Sequence, residues 1–511
     1  MLTLKDCRIE TVRDGYLLVD GVSLTMNRGD KVAVIGHEGT GKSTLLKAIA
    51  DPESIPYATC TGTIIRQGRI GYLEQDIAAR WRGVDIASFF VCEKPGKPPK
   101  IDAYEQLKHL PKALAKVGLE GLDIDETRTM DTFSGGEIVK LGLAKLLMRE
   151  VDLFVLDEPT NDLDFDTILF LEAFMREKDR TILFVSHDER LLDNVATMIV
   201  HIQRVKKQTE ALTFVEKMDY RDYREHRMAR FDQQHRIAMD ERKAHAKRIE
   251  RWRKIYQRVE HQQNQAVREP ERARLLKKKI KSMQAQKGRF DKAEAEFTPI
   301  PEAEEWIDLH FEAGVGLPRG KRVIDVSLPV LRVGDKVLAR AVDLTVMGQE
   351  KIAITGKNGC GKTTLLHALY ETLKPREDMR VALMPQDHDK ALSGLSPLSF
   401  LEATQDRKRE ADVRKRLGAL GFEREDMLRP AERLSGGQKI KVLLLKVVLD
   451  RANVLLLDEP TRNVSPLSAP EIHDMMKQFK GTIVCVTHDR SFIEAVFDSL
   501  YRLDKHGLTR L

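Results

Sequence analysis

The chain has 511 residues, of which 42% are hydrophobic and 32% charged, and its formal net charge is +6. That length supports two to four domains with their own cores, and no run approaches the roughly 18 apolar residues of a membrane span. The N-terminus turns polar within Met1-Leu2-Thr3-Leu4-Lys5-Asp6, and Cys7, Cys60, Cys92, Cys360 and Cys485 form no C-x-x-C pair or metal-ligand spacing. A soluble, reduced, cytoplasmic protein is expected.

The apolar run Lys31–Ile35 reads as a buried strand, and it feeds a glycine loop, Gly36-His37-Glu38-Gly39-Thr40-Gly41-Lys42-Ser43. In the pattern G-x-x-x-x-G-K-[ST], glycines let backbone N–H groups wrap phosphate oxygens, and the helix that follows adds positive potential at its N-terminus. Lys42 is placed to reach the β- and γ-phosphates and Ser43 to ligate Mg²⁺. Gln75 follows, then Phe133-Ser134-Gly135-Gly136-Glu137, whose glycine pair at a helix start suits a second phosphate cradle. The run Leu153-Phe154-Val155-Leu156 ends at Asp157-Glu158-Pro159. There Asp157 can bind Mg²⁺, and Glu158 can orient or deprotonate an attacking water. Thr181–Val185 ends at Ser186-His187-Asp188, where His187 can contact the γ-phosphate.

The next stretch changes character. From Tyr220 to Glu260 there is no Gly or Pro, and Ile249, Trp252, Tyr256 and Val259 fall at 3-4-3 spacing. Leu276, Ile280 and Met283 repeat that spacing beyond a polar tip, His261-Gln262-Gln263-Asn264-Gln265. Pro270 suits the first turn of a returning helix and Gly288 its end. Two antiparallel helices with a narrow apolar seam are expected, the first on the order of 50 Å long. Between Arg242 and Arg289 stand 17 Lys and Arg against 4 Asp and Glu, a net of +13, so the rest of the chain sums to −7. The root, Arg221 to Glu241, holds 5 basic and 5 acidic residues, so the bias belongs to the distal part. A basic hairpin of this kind suits a phosphate-lined RNA channel. The candidate contacts are Arg248, Arg251, Arg253, Lys254 and Arg258 going out, and Gln262, Gln263, Asn264 and Gln265 at the tip. On the return they are Arg268, Arg272, Arg274, Lys277, Lys278, Lys279 and Lys281.

The phosphate-handling set then repeats in the same order. Lys351–Thr355 precedes Gly356-Lys357-Asn358-Gly359-Cys360-Gly361-Lys362-Thr363, and Gln386 and Leu434-Ser435-Gly436-Gly437-Gln438 follow. The run Val454-Leu455-Leu456-Leu457 ends at Asp458-Glu459-Pro460, and Thr482–Val486 ends at Thr487-His488-Asp489. The offset is 320 residues between Lys42 and Lys362, 311 between Gln75 and Gln386, and 301 from Ser134 and Ser435 onward. Three segments are expected: 1–215, a linker 216–295, and 296–511. Each flanking domain should be α/β with a mainly parallel sheet.

These motifs resemble the ATP-binding cassettes of the ABC superfamily over about 430 of the 511 residues. Gln75 and Gln386 match the Q-loop, the Ser-Gly-Gly segments the signature, and Asp-Glu-Pro the Walker B region. The resemblance implies an ATPase using ATP and Mg²⁺, with two P-loop cassettes paired head to tail inside one monomer and joined by an antiparallel helical hairpin. It pairs the first loop, residues 36–44 ending in Thr44, with Ser435, Gly436 and Gly437. It pairs the second loop, residues 356–364 ending in Thr364, with Ser134, Gly135 and Gly136. Metal contacts then fall to Ser43, Gln75 and Asp157 in one site and to Thr363, Gln386 and Asp458 in the other. Glu158, Glu459, His187 and His488 are the implied catalytic residues.

Tandem cassettes also form importer ATPase subunits, which have no use for a +13 hairpin, and DNA-associated ATPases favour a long C-terminal coiled coil. With this linker the chain resembles ABC-F translation proteins. That implies a ribosome partner, the hairpin entering the exit-tRNA site toward 23S rRNA and the peptidyl-site tRNA, with neither a membrane subunit nor DNA. Gln75 to Ser134 spans 59 residues against 49 in the second copy, too small an excess for an arm insert, and no extension is expected after the second cassette. With Thr461-Arg462-Asn463-Val464-Ser465 after the second Walker B, these traits resemble the armless antibiotic-resistance members more than housekeeping factors.

Three departures stand out. Ser465 replaces the aspartate found at Asp164 in the first D-loop, Asn161-Asp162-Leu163-Asp164, so the first site is expected to hydrolyse more slowly. Arg13 and Val333 stand where an adenine-stacking aromatic is usual, leaving Tyr16 as a substitute or an ordinary packed tyrosine. Cys360, inside the second loop, is either a tolerated small residue or an oxidisable one.

Overall fold

Six apolar runs read from the sequence become central parallel strands, buried along their whole length because helices cover both faces of such a sheet. The computed structural model describes residues 2–99, 101–122, 128–161, 163–205, 210–265, 270–295, 297–298, 309, 311, 316–401, 407–462 and 464–511. In the first cassette the sheet order is Ile70–Leu73, Leu153–Asp157, Thr181–Val185, Lys31–Ile35, Met198–Val205, Glu210–Glu216, with only the last strand antiparallel. The second repeats it with Val381–Met384, Val454–Asp458, Thr482–Val486, Lys351–Thr355, Ser499–Asp504 and Gly507–Arg510. Loops carrying the motifs therefore leave the carboxyl ends of adjacent strands, where ligands sit in parallel α/β sheets.

Antiparallel sheets accompany each cassette. Leu17–Met26, Leu2–Thr11 and Ala58–Arg66 form one, and Arg322–Val333 with Lys336–Met347 the other. Their alternating burial marks sheets packed on one face only. The chain divides into two compact units, Met1–Tyr220 with Glu304–Leu511, and Arg221–Ala303. Both cassettes lie within the first.

The second unit is the helical hairpin. Its outgoing helix belongs to Tyr220–Gln265, 46 residues or about 69 Å at 1.5 Å per residue, longer than expected. His261 to Gln265 are its last helical residues and not a loop tip: nothing in that run breaks a helix, and Gln265 Nε2 lies 2.9 Å from His261 Nε2 one turn back. The return helix, Pro270–Ala295, begins at its proline as expected but passes straight through Gly288. A helical glycine costs only about 1 kcal/mol, and the seam continues beyond it to Phe290, whose ring lies 6.3 Å from His245.

The seam itself is as read. Val259 and Met283 are buried, Trp252 stacks on Tyr256 with centroids 4.9 Å apart, and Trp252 Nε1–H donates to Met283 O at 3.0 Å. Toward the root it extends through buried Ala238 and His245, the latter edge-on to Phe297 at 5.2 Å. Arg242 donates to Thr298 O at 3.0 Å, and Thr298 N–H donates to Glu241 at 2.8 Å, which fixes the antiparallel register.

Candidate nucleotide sites and basic hairpin

Each glycine loop is shaped by backbone that only glycine adopts freely. Gly36 and Gly356 have φ of 145° and 153°, and a Cβ on them would come within 2.2 and 2.4 Å of Ile202 O and Leu503 O. Gly41 and Gly361, at φ 96° and 104°, then start the helices Lys42–Ala50 and Lys362–Leu373. Lys42 Nζ donates to Gly36 O and His37 O, both at 2.8 Å, and Lys362 Nζ to Gly356 O at 2.7 Å and Lys357 O at 3.2 Å. Burial pushes the Lys42 ammonium down, with Glu158, Glu38 and Asp157 opposing that.

The hydroxyl and carboxylate predicted to share a cation meet in both copies. Ser43 Oγ donates to Asp157 Oδ1 at 2.9 Å, and Thr363 Oγ1 to Asp458 Oδ2 at 2.7 Å. Burial raises both carboxyl groups, opposed by those hydroxyl hydrogen bonds. This small all-oxygen donor set fits Mg²⁺, which takes few protein ligands and fills its shell with water and substrate oxygens. Among the described residues no cluster of three or more His, Cys, Asp or Glu could hold a metal on its own. Gln75 and Gln386 are both exposed, and Gln386 lines the cavity described below. Tyr72 was not singled out from the sequence, yet its hydroxyl donates to Asp157 Oδ2 at 2.9 Å; Leu383 stands at the matching register.

Glu158 and Glu459 leave their strands with φ of 49° and 48°, a left-handed turn costly for a side-chain-bearing residue and kept where the surrounding structure demands it. The two corners then diverge. His187 Nε2 lies 3.0 Å from Glu158 Oε1, while Glu158 Oε2 has no hydrogen-bond donor among the described residues. Burial raises the Glu158 carboxyl, but the His187 ring and Lys42 more than offset it, and the group ends below its ordinary value. In the second corner His488 Nε2 is 4.0 Å from Glu459 Oε1, and its Nδ1 is 3.5 Å from Thr355 Oγ1. Burial and the adjacent Asp458 push Glu459 up to about 8, and burial pushes His488 down to about 4.

Residues of the two cassettes meet at several points. Gly436 N–H donates to Glu38 Oε2 at 3.0 Å, bringing the second signature onto the first loop. His187 Nδ1 is 2.8 Å from Val464 O. The Arg490 guanidinium pairs with Glu172 at 2.6 Å and lies 3.6 Å from Asp188; all three are buried or nearly so. Asn194 Nδ2 donates to the other oxygen of Glu172 at 2.8 Å, and Arg190 meets Glu494 close by. The copy offset of 301 pairs Arg490 with Glu189 and Glu172 with His473, a charge exchange that reading one copy against the other exposes.

Around the second loop lies a cavity of about 680 Å³, within the range of small-molecule sites. Gly359, Gly361, Lys362, Thr363 and Thr364 line it with Asp458, Glu459 and His488, and from the first cassette Asn161, Leu163 and His187. Ser134, Gly135 and Gly136 are not in its wall. Those signature residues cap their own helix instead: Ser134 and Glu137 form a capping box on Gly135–Met148, as Ser435 and Gln438 do on Gly436–Leu449. Val333, Lys336 and Leu338 supply an aliphatic patch in the same cavity. Tyr16 lies 4.4 Å under the Arg204 guanidinium and Arg13 is exposed. Cys360 is half-buried and burial pushes its thiol up.

On the hairpin, Arg248, Arg251, Arg253, Lys254, Arg258, Arg274, Lys277, Lys278, Lys279 and Lys281 are all exposed, as are Gln262, Asn264 and Gln265; Gln263 is half-buried. Lys254 pairs with Glu250 at 2.7 Å. Arg268, the Arg272 side chain, Asp162 and Asn463 lie outside the described residues.

A model of the family described as ABC transporter matches residues 19–161 and 339–462, just over half of the chain. The chain belongs to the ABC transporter family. It is an ATPase, and its two cassettes are ATP-binding domains. It is 29% identical over 96% of its length to the uncharacterized ABC transporter ATP-binding protein YfmR of Bacillus subtilis (strain 168), covering 79% of that protein. It is 27% identical over 96% of its length to the ribosome protection protein VmlR of the same organism, covering 84% of it. A third relative, ABC transporter F family member 5 of Arabidopsis thaliana, is 25% identical over 97% of this chain and 75% of its own length. The ABC-F resemblance read from the motifs is borne out by these relatives. Among the described residues no helix is long and apolar enough to cross a membrane.

Proposed function

We propose that this chain is an ABC-F ATPase of the cytoplasm that binds the ribosome in its ATP-closed state and protects it from an antibiotic. Cassettes at 1–215 and 296–511 close on two nucleotides, and the linker at 216–295 presents its cations to rRNA and the peptidyl-site tRNA. The observation that carries this reading is the confinement of +13 net charge to one exposed helical hairpin, since Lys and Arg that release counterions supply most of the affinity for nucleic acid. Similarity to a relative named as a ribosome protection protein supports the antibiotic role.

In this mechanism the loop N–H groups of residues 36–44 and 356–364 cradle the phosphates, and Lys42 and Lys362 turn from their own carbonyls onto them. Ser43 with Asp157, and Thr363 with Asp458, would hold Mg²⁺, with Gln75 and Gln386 as further oxygen donors; when bound it would supply charge neutralisation on the transferred phosphoryl group. Ser435 to Gly437 and Ser134 to Gly136 cover the opposite nucleotides. Glu158 and Glu459 accept the proton of the attacking water, His187 holds the Glu158 carboxylate, and both His187 and His488 contact the γ-phosphate. Hydrolysis then opens the cassettes and releases the ribosome.

The test is ribosome association on sucrose gradients by the chain carrying Glu158→Gln and Glu459→Gln. ATP-dependent co-sedimentation is expected, and an antibiotic-sensitive host expressing the parent chain should gain resistance. A double variant that stays at the top of the gradient with and without ATP contradicts the reading.

A further inference from the structure

The first glycine loop carries an acid where the second carries an amide: Glu38 stands at the position of Asn358, each four residues before the loop lysine. Glu38 Oε2 accepts the N–H of Gly436 at 3.0 Å, and Gly436 is the first residue of a 14-residue helix capped by Ser435. Orphan N–H groups at such a helix start bind anions, with the helix dipole favouring negative charge there. A carboxylate of the chain itself therefore holds one of the donors that would cover a nucleotide in the first site. The loop lysines do not distinguish the sites, since Lys42 Nζ and Lys362 Nζ are each held by two loop carbonyls. The second loop is different: it faces a cavity of about 680 Å³ whose wall contains Lys362 and Thr363 but none of the first signature.

We infer that Glu38 is an internal anion that competes with ATP for the second signature, so that the second site loads first and the first site loads only when Glu38 leaves Gly436. This rests on both sites taking ATP, as proposed above. Glu38 is exposed, so it can swing into solvent without unfolding anything, and its charge then also repels an arriving triphosphate. The same contact ties one loop to the opposite cassette. One donor of the first site is held by the chain's own carboxylate, while the second loop faces a cavity.

The test is calorimetric titration of the full chain with a non-hydrolysable ATP analogue. Two binding steps are expected, with Lys42→Ala deleting the weaker and Lys362→Ala the tighter. Glu38→Gln and Glu38→Asn should each tighten the weaker step roughly twofold to fivefold, the scale of a charge at an exposed helix N-terminus. Asn358→Glu should weaken the tighter step by a similar factor. A weaker step that is unchanged in both Glu38 variants, at unchanged melting temperature, overturns the inference, as does loss of the tighter step in Lys42→Ala. If neither lysine variant alters any step, it is the reading of the two loops as ATP sites that fails.

Discussion

The two catalytic corners carry the same residues at the same spacing and are set differently. In the first, Val464 O of the opposite cassette lies 2.8 Å from His187 Nδ1, which leaves Nε2 facing Glu158 at 3.0 Å. In the second, His488 Nδ1 lies 3.5 Å from Thr355 of its own cassette, and Nε2 stays 4.0 Å from Glu459. The consequence is chemical: one carboxyl is held below its ordinary value and the other is pushed up to about 8. A motif histidine is thus aimed by whatever group, from its own cassette or the other, meets its far nitrogen. The second D-loop reaches His187 through the main chain of Val464, so the serine at position 465 does not remove that bond. In the first D-loop the Asp164 side chain instead caps the helix Phe165–Arg176.

The largest effect is expected from removing each base in turn. Glu158→Gln and Glu459→Gln together should cut phosphate release on the order of 10²- to 10⁴-fold, and each single variant should leave only the other corner running. The next largest effect concerns the buried bridge between cassettes. Arg490→Ala strands Glu172 and Asp188 without their cation and should cost about 3–5 kcal/mol in chemical denaturation. Adding Glu172→Ala should recover part of that loss, whereas two additive effects would show that the pair is not coupled.

A smaller effect is local to the hairpin. Trp252→Ala removes the Tyr256 stack and the hydrogen bond to Met283 and should weaken the hairpin by about 2 kcal/mol. Faster amide exchange around Met283 with unchanged ATP hydrolysis would register it. The smallest effect separates the corners by pH. A base works only when deprotonated, so in the Glu158→Gln chain, which runs on Glu459 alone, hydrolysis should rise about fivefold from pH 7 to pH 8 and level off above it. The Glu459→Gln chain, running on Glu158, should stay flat over that interval. The same raised value means the folded chain keeps a proton on Glu459 that the unfolded chain has lost. Stability from this group is therefore present below 4.5 and fades as pH rises through about 8. Identical pH profiles for the two variants would erase the difference between the corners.

Much of this molecule is legible from local pattern. Continuous apolar runs ending in motif residues marked six strands to within a residue, because a strand buried on both faces tolerates little else. The 3-4 spacing from Ile249 to Val259 likewise marked the seam. The helix through His261 to Gln265 was misread because glutamine and histidine look like loop residues, although they propagate a helix once it is nucleated. Apart from the loop-to-signature pairing that the resemblance implied, the long-range bonds were not legible. Tyr72 within the first cassette, and Val464 and the Arg490–Glu172 bridge between cassettes, act through partners far away in sequence, and single residues carry no period to announce them. The pairing of the first loop with the second signature follows the resemblance, but that the Glu38 carboxylate is what meets the Gly436 N–H is seen only in the fold.

The hairpin is the part of the molecule proposed to hold nucleic acid. The most direct measurement is the ribosome affinity of the Glu158→Gln, Glu459→Gln chain across a salt series, with and without Arg251, Arg258, Arg274, Lys277, Lys278 and Lys281 changed to glutamine. Neutralising those cations should weaken binding at every salt concentration. It should also flatten the slope of log affinity against log salt by up to about 4, at about 0.7 for each phosphate no longer neutralised on a single strand. Equal affinities and parallel slopes for the two chains would contradict it.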